Sequence, residues 1–242
     1  MIEYYFIFIY FCLIVSIQSS VGVGILVLGT PFMLIFDYNI IDIFFILLPL
    51  SIITSLINLI IMSFLKKKIK KSSLRELKKF LKICMPSILI GLVLLKFFEE
   101  YINFKLLVSL IIITSITLIS MKEKINFKIN FFRISILSVI GIIHGLTNSG
   151  GTLMSLALSI NNQKNNARYN ITLFYFILAL SQYFITLILF FKKIIFPEIQ
   201  LIWAIVFGVI IGNILNNYIS EKNYKIIISF LAIISSILLI IN

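Results

Sequence analysis

Charge is what this chain has least of. Of its 242 residues only 12% are Asp, Glu, Lys or Arg, against 61% hydrophobic, whereas a soluble domain carries about a quarter charged residues. A water-facing surface cannot be built from that supply, so a soluble globular protein is excluded. Cysteine is nearly absent too. Cys12 and Cys84 lie inside or at the edge of apolar stretches with no ligand spacing, which reads as two small buried hydrophobes and not as redox or metal chemistry. There is one histidine, His144, and the apolar stretches hold no cluster of His, Cys and carboxylates, so no metal site is expected. A GxxxxGK[ST] loop is missing, so ATP is not a direct energy source. A membrane-embedded enzyme would need an acid, a base or a metal, and beyond His144 the apolar stretches offer almost nothing. The expectation is a non-enzyme without cofactor. Glu3 stands where a signal peptide would carry positive charge, and the apolar run behind it is too long for a signal core; no cleaved signal is expected.

What charge there is has one sign. Lys and Arg number 21 against nine acidic residues, a formal +12. The basic residues do not form a face interleaved with exposed aromatics, so nucleic acid is not an expected partner. They fill the gaps between apolar runs, and nine of them fall in 66–82. That is the mark of a cytoplasmic loop, and such a cluster also suits anionic lipid headgroups.

Eight apolar runs fill the rest: approximately Tyr4–Phe36, Ile40–Leu65, Ile83–Phe98, Ile102–Met121, Ile134–Ile160, Ile171–Phe191, Ile199–Ile219 and Tyr224–Ile241. The fold class is therefore an all-α polytopic membrane protein, in the cytoplasmic membrane. The first run would make a helix of roughly 50 Å, against a hydrocarbon core of about 30 Å. It is either strongly tilted or broken and turned back. If all eight runs cross, 15 basic residues fall on the cytoplasmic side and 6 outside; with the first and fifth runs as re-entrant hairpins the split is 17 to 4. The second arrangement leaves an odd number of crossings per half and predicts inverted repeats, 1–121 and 122–242. Gly91, Gly208 and Gly212 read as close helix contacts, and Asn58, Gln182 and Asn213 as interhelical hydrogen bonders.

Both long runs are interrupted by glycine and small polar residues, at Gln18-Ser19-Ser20-Val21-Gly22-Val23-Gly24 and at His144-Gly145-Leu146-Thr147-Asn148-Ser149-Gly150-Gly151. In a bilayer a helix breaks only where protein or a water-filled cavity satisfies the freed backbone. A helix that restarts presents unpaired N–H groups and the positive end of its dipole, an anion site. The expected substrate-binding residues are Gln18, Ser19, Ser20, Gly22 and Gly24 from one half. The other half contributes His144, Thr147, Asn148, Ser149, Gly150, Gly151 and Thr152. The competing reading is close helix packing without a ligand. An ionisable group at the depth of His144 suggests function: a charged hydrogen bond to the anion, or a coupling proton. Its alternative is a neutral ring bonding a carbonyl freed by the break. Arg168 reads as an entrance residue for anions or as an ordinary positive-inside residue.

At these breaks the sequence resembles the TauE/SafE family of sulfite and organosulfonate permeases. The family pattern is Gly-x-Gly-Gly-Gly with a proline five residues on, once per half. Here the first copy reads Gly22-Val23-Gly24-Ile25-Leu26 with Pro31, and the second Thr147-Asn148-Ser149-Gly150-Gly151 with Leu156 at the proline position. The resemblance implies a secondary transporter for a small anion, sulfite or an organosulfonate, held where the two broken helices meet. Its expected partners are that anion and the bilayer, with a homo-oligomer left open. The alternatives are a carrier for another organic anion or a metal ion, and a non-transporting subunit of a complex.

Overall fold

The computed structural model describes residues 2–64, 72–125, 134–191 and 199–241. Among them there is no strand. The helices are α1 (Ile2–Val21), α2 (Ile25–Ile35), α3 (Ile40–Phe64), α4 (Leu74–Phe98), α5 (Phe104–Ile125), α6 (Ile134–Thr147), α7 (Gly150–Asn161), α8 (Lys164–Phe190), α9 (Ile199–Tyr218) and α10 (Glu221–Ile241). Eight apolar runs become ten helices because the first and fifth are each split in two. The α4 helix also starts well before the apolar run at Ile83. Ser73 Oγ accepts from the Glu76 N–H at 3.2 Å, and the Glu76 carboxylate accepts from the Ser73 N–H at 2.7 Å, a reciprocal cap that starts a helix in polar sequence. Most of the basic cluster, 65–71, lies outside the described residues.

The first run turns back on itself. As one straight helix it would hold Tyr10 and Leu28 roughly 27 Å apart, yet the Tyr10 hydroxyl donates to the Leu28 carbonyl at 3.0 Å. The Tyr10 and Phe32 rings stack at 3.7 Å, and the Ile25 N–H reaches Gln18 Oε1 at 3.0 Å. Contacts that pair later residues of α2 with earlier residues of α1 define an antiparallel hairpin. The fifth run does the same, with Gly150 lodged against Ile140 and His144.

Contacts between the connections show which helix ends lie together. The Ser72 N–H and hydroxyl both donate to Asn170 Oδ1 at 3.0 Å, and the Lys164 N–H donates to the Glu221 carboxylate at 2.7 Å. The starts of α4, α8 and α10 therefore share one end of the bundle. At the other end Lys105 pairs with Asp37 at 3.0 Å, Asn39 donates to Glu99 at 2.6 Å, and Lys96 Nζ donates to the Leu189 carbonyl at 3.0 Å. Eight simple crossings would have put 72 and 170 at opposite ends. It follows that α3 and α8 run in opposite directions.

Packing has the same reciprocity. The α1 helix lies on α9 and α6 on α4; α3 meets α8, and α5 meets α10; α2 packs on α3 and α10, α7 on α8 and α5. Exchanging α1–α5 for α6–α10 leaves that set of pairs unchanged. The closest approaches use glycine: a methyl on Gly91 would lie 2.3 Å from the Ile142 carbonyl oxygen, and one on Gly212 2.3 Å from that of Ser16. Four helices among the described residues are long and apolar enough to cross a membrane: α3, α4 with its following turn to Tyr101, α8 and α9. Outward-facing Phe97, Trp203, Phe207, Ile210 and Ile214 are exposed, as a lipid-facing surface allows.

Candidate anion site

Each hairpin turns through one residue in the left-handed region, Gly22 with φ +94° and Asn148 with φ +66°. Glycine adopts that conformation freely, and asparagine is among the few side-chain residues that tolerate it. Two residues on, Gly24 and Gly150 open the returning helices. A methyl on Gly24 would strike the Ile14 carbonyl oxygen and the Gln18 N at 2.9 and 2.8 Å; on Gly150 it would strike the Ile140 carbonyl oxygen and the His144 N at 2.3 and 2.9 Å. These contacts make Gly22 equivalent to Asn148, Gly24 to Gly150 and Gln18 to His144. The sequence pattern had paired Gly22 with Thr147, one residue out of register, because it matched glycines where the backbone matches left-handed turns.

Around the first break the freed backbone groups are met by side chains. At the end of α1, Arg168 donates to the Ser19 carbonyl, Asn216 to that of Ser20 at 2.6 Å, and the Tyr224 hydroxyl to that of Val21 at 2.6 Å. Arg168 also donates to Asn213 Oδ1 at 2.6 Å. Asn213 donates to Asn58 Oδ1 at 2.9 Å, and Asn58 to Ser19 Oγ at 2.9 Å. A guanidinium at the negative end of a helix is also favoured by the dipole. At the start of α2, the Ile25 N–H donates to Gln18 Oε1 at 3.0 Å and the Leu26 N–H to the Tyr175 hydroxyl oxygen at 3.2 Å. Gln18 is held in place by donating to Ser55 Oγ at 3.1 Å. Ser20 Oγ turns away to the Ile17 carbonyl at 2.9 Å. Of the expected ligand donors here, Gln18, Ser19 and Ser20 are already engaged within the protein.

Around the second break the turn's own side chains meet some of them, the Ser149 N–H donating to Thr147 Oγ1 at 3.3 Å. The α7 helix starts at Gly150 and, like α2, has no cap from its own N-cap side chain. Thr147 and Ser149 bond locally, Thr147 Oγ1 to the Ile143 carbonyl at 2.8 Å and Ser149 Oγ to the Thr147 carbonyl at 3.2 Å. His144, Asn148 and Thr152 are buried, and neither ring nitrogen of His144, nor Asn148 Oδ1, nor Thr152 Oγ1 has a hydrogen-bond partner. An unmet buried polar atom costs on the order of 1–3 kcal/mol, so such a cluster in one place is a strong demand for a ligand or water.

The two breaks lie side by side near the middle of α8. Tyr175 joins them: its ring lies so close to Gly151 that a methyl there would be 2.2 Å from a ring carbon, while its oxygen accepts at the start of α2. Asn148 Nδ2 donates to Thr30 Oγ1 of α2 at 3.3 Å.

A family model for the sulfite exporter TauE/SafE matches residues 7–239, nearly the whole chain. The chain belongs to the TauE/SafE family. No curated protein and no solved structure matches it. TauE/SafE proteins are transporters of the sulfite and anion exporter type, not enzymes, and family membership with these apolar helices makes the chain a multi-pass membrane transporter.

Within that frame, several residues matter that motif reading passed over. Tyr175, Asn216 and Tyr224 lie inside apolar runs and look like span filler, and Thr30 follows the break by too many residues to be counted with it. Arg168 is buried in the second turn of α8, not exposed in a loop. Gln182 is also buried, with neither side-chain polar atom partnered, so it makes no interhelical bond like those of Asn58 and Asn213.

Proposed function

We propose that the chain is a secondary transporter carrying a small oxyanion, sulfite or a sulfonate, across the cytoplasmic membrane. It is built as two inverted halves, 1–121 and 122–242, a reading supported by the reciprocal helix pairs and the opposed directions of α3 and α8. The anion sits at the start of α7. Its oxygens take the Gly150 and Gly151 N–H groups, the Thr152 hydroxyl and a ring N–H of His144, while Asn148, Ser149 and Thr147 shape the turn. One observation carries this: the His144 ring nitrogens, Asn148 Oδ1 and Thr152 Oγ1, all buried and without hydrogen-bond partners, gather about the start of α7 midway along the bundle. Helix N-termini bind anions through aligned N–H groups and the dipole.

Apart from His144 the donors are neutral. They suit an anion with several acceptor oxygens. A metal-ion carrier is disfavoured, because no group of three or more His, Cys, Asp or Glu residues is gathered among the described residues. The test is sulfite flux into proteoliposomes that contain this chain alone. Saturable uptake, inhibited by organosulfonates, is expected. Flux indistinguishable from empty liposomes would contradict the reading and favour a non-transporting subunit.

A further inference from the structure

The first half shows what an occupied site looks like. Gln18 Oε1 and the Tyr175 hydroxyl oxygen sit on the Ile25 and Leu26 N–H groups at 3.0 and 3.2 Å, where an anion's oxygens would sit on a bare helix start. Packing makes His144 the equivalent of Gln18 and Gly151 that of Ile25. Yet neither ring nitrogen of His144 makes such a bond at the start of α7. The amide of Gln18 carries an oxygen acceptor on a flexible stem, whereas the imidazole of His144 is shorter and rigid.

We propose that Gln18 and Tyr175 are built-in occupants of the first half's anion position, so that the chain binds a single anion, at the second break, and that the residue at position 144 decides whether that break is open. This rests on the anion reading above and goes further in assigning the occupancy of each half. Arg168, at the first break, donates through one guanidinium nitrogen to the Ser19 carbonyl and to Asn213.

The substitution His144→Gln would place in the second half the side chain that closes the first. It should cap α7 from within, weaken sulfite binding by more than about tenfold, and raise the apparent melting temperature of the ligand-free protein by about 2–4 °C, the shift one net hydrogen bond gives a chain of this size. His144→Ala also loses the imidazole but supplies no acceptor. The expected order of sulfite affinity is therefore wild type, then Ala, then Gln, and the order of ligand-free stability places Gln above Ala. A residue needed only for its hydrogen-bonding capacity would give the reverse, with Gln binding better than Ala, and that result overturns the proposal. Equilibrium dialysis of the wild-type protein with radiolabelled sulfite is a second measurement that needs no variant. A single sulfite per chain supports the proposal, and two overturn it while leaving the anion reading intact. No sulfite bound at all overturns both.

Discussion

The two hairpins share a backbone and differ in what surrounds it. At the first, each freed carbonyl of Ser19, Ser20 and Val21 meets a side chain, and the first amides of α2 meet two more. At the second, the turn is held by its own Thr147 and Ser149, and the His144 ring nitrogens, Asn148 Oδ1 and Thr152 Oγ1 are buried without partners. The cost of breaking a helix inside a membrane is the same in both cases, since every freed N–H and C=O must be met. One half meets it with protein, and in the proposed reading the other meets it with substrate. In that reading two hairpins of similar backbone need not share a function.

That contrast predicts different consequences for mutations in the two halves. The largest effect on stability is expected from Arg168→Met, which strips a charged donor from the Ser19 carbonyl and Asn213 while keeping much of the bulk. Hydrogen bonds to charged groups contribute about 1.5–3 kcal/mol each, so the folded fraction after detergent extraction should fall severely, with Arg168→Lys intermediate. Equal melting curves for Arg168→Met and the wild type would mean that the first break is not held by this network.

Next in size is Gly151→Ala. Its methyl would sit 2.2 Å from a Tyr175 ring carbon, and overpacking of this kind costs roughly 1–3 kcal/mol. It should also weaken sulfite binding, because the ring must shift beside the pocket. Combining it with a smaller side chain, Tyr175→Leu, should restore part of the lost stability. A double variant no more stable than Gly151→Ala alone would place the strain elsewhere.

The smallest effect is expected from Tyr175→Phe, which keeps the ring and removes only the acceptor for the Leu26 N–H. A loss of about 1 kcal/mol is expected, read as a modest fall in melting temperature. A sulfite shift at the first break, appearing as a second binding event in dialysis, would sharpen the comparison further, since half of that site's built-in occupancy would then be gone.

Much of this was legible in the sequence, for physical reasons. A 33-residue apolar run is too long for one crossing, and the basic gaps pointed to the arrangement in which 72 and 170 share an end. Gly22, Gly24 and the polar stretch from Thr147 to Gly151 marked both turns, since only certain residues accept a left-handed backbone or a close helix contact. What stayed hidden was long-range. Nothing local says that Asn216 and Tyr224, near the far end of the chain, cover the carbonyls of Ser20 and Val21. Nor does it say that Tyr175 spans both breaks, because hydrogen bonds across a bundle leave no spacing signature. For that reason the sequence marked Gln18, Ser19 and Ser20 as ligand donors without showing that Gln18 reaches the Ile25 N–H and Ser55, that Ser19 accepts from Asn58, or that Ser20 bonds the Ile17 carbonyl.

The central claim, that the second break is open and the first is sealed, is tested most directly by comparing Thr152→Val with Asn216→Leu. Sulfite uptake per folded molecule and thermal stability are measured for each. Thr152→Val deletes a buried hydroxyl with no partner at nearly constant shape, so stability should hold or rise while uptake affinity falls by about tenfold, the loss of one good hydrogen bond to an anion. Asn216→Leu leaves the Ser20 carbonyl unmet, so stability should fall by about 1–3 kcal/mol while uptake per folded molecule stays near wild type. The opposite pattern, with Asn216→Leu abolishing uptake and Thr152→Val leaving it untouched, would put the anion at the first break and contradict the account.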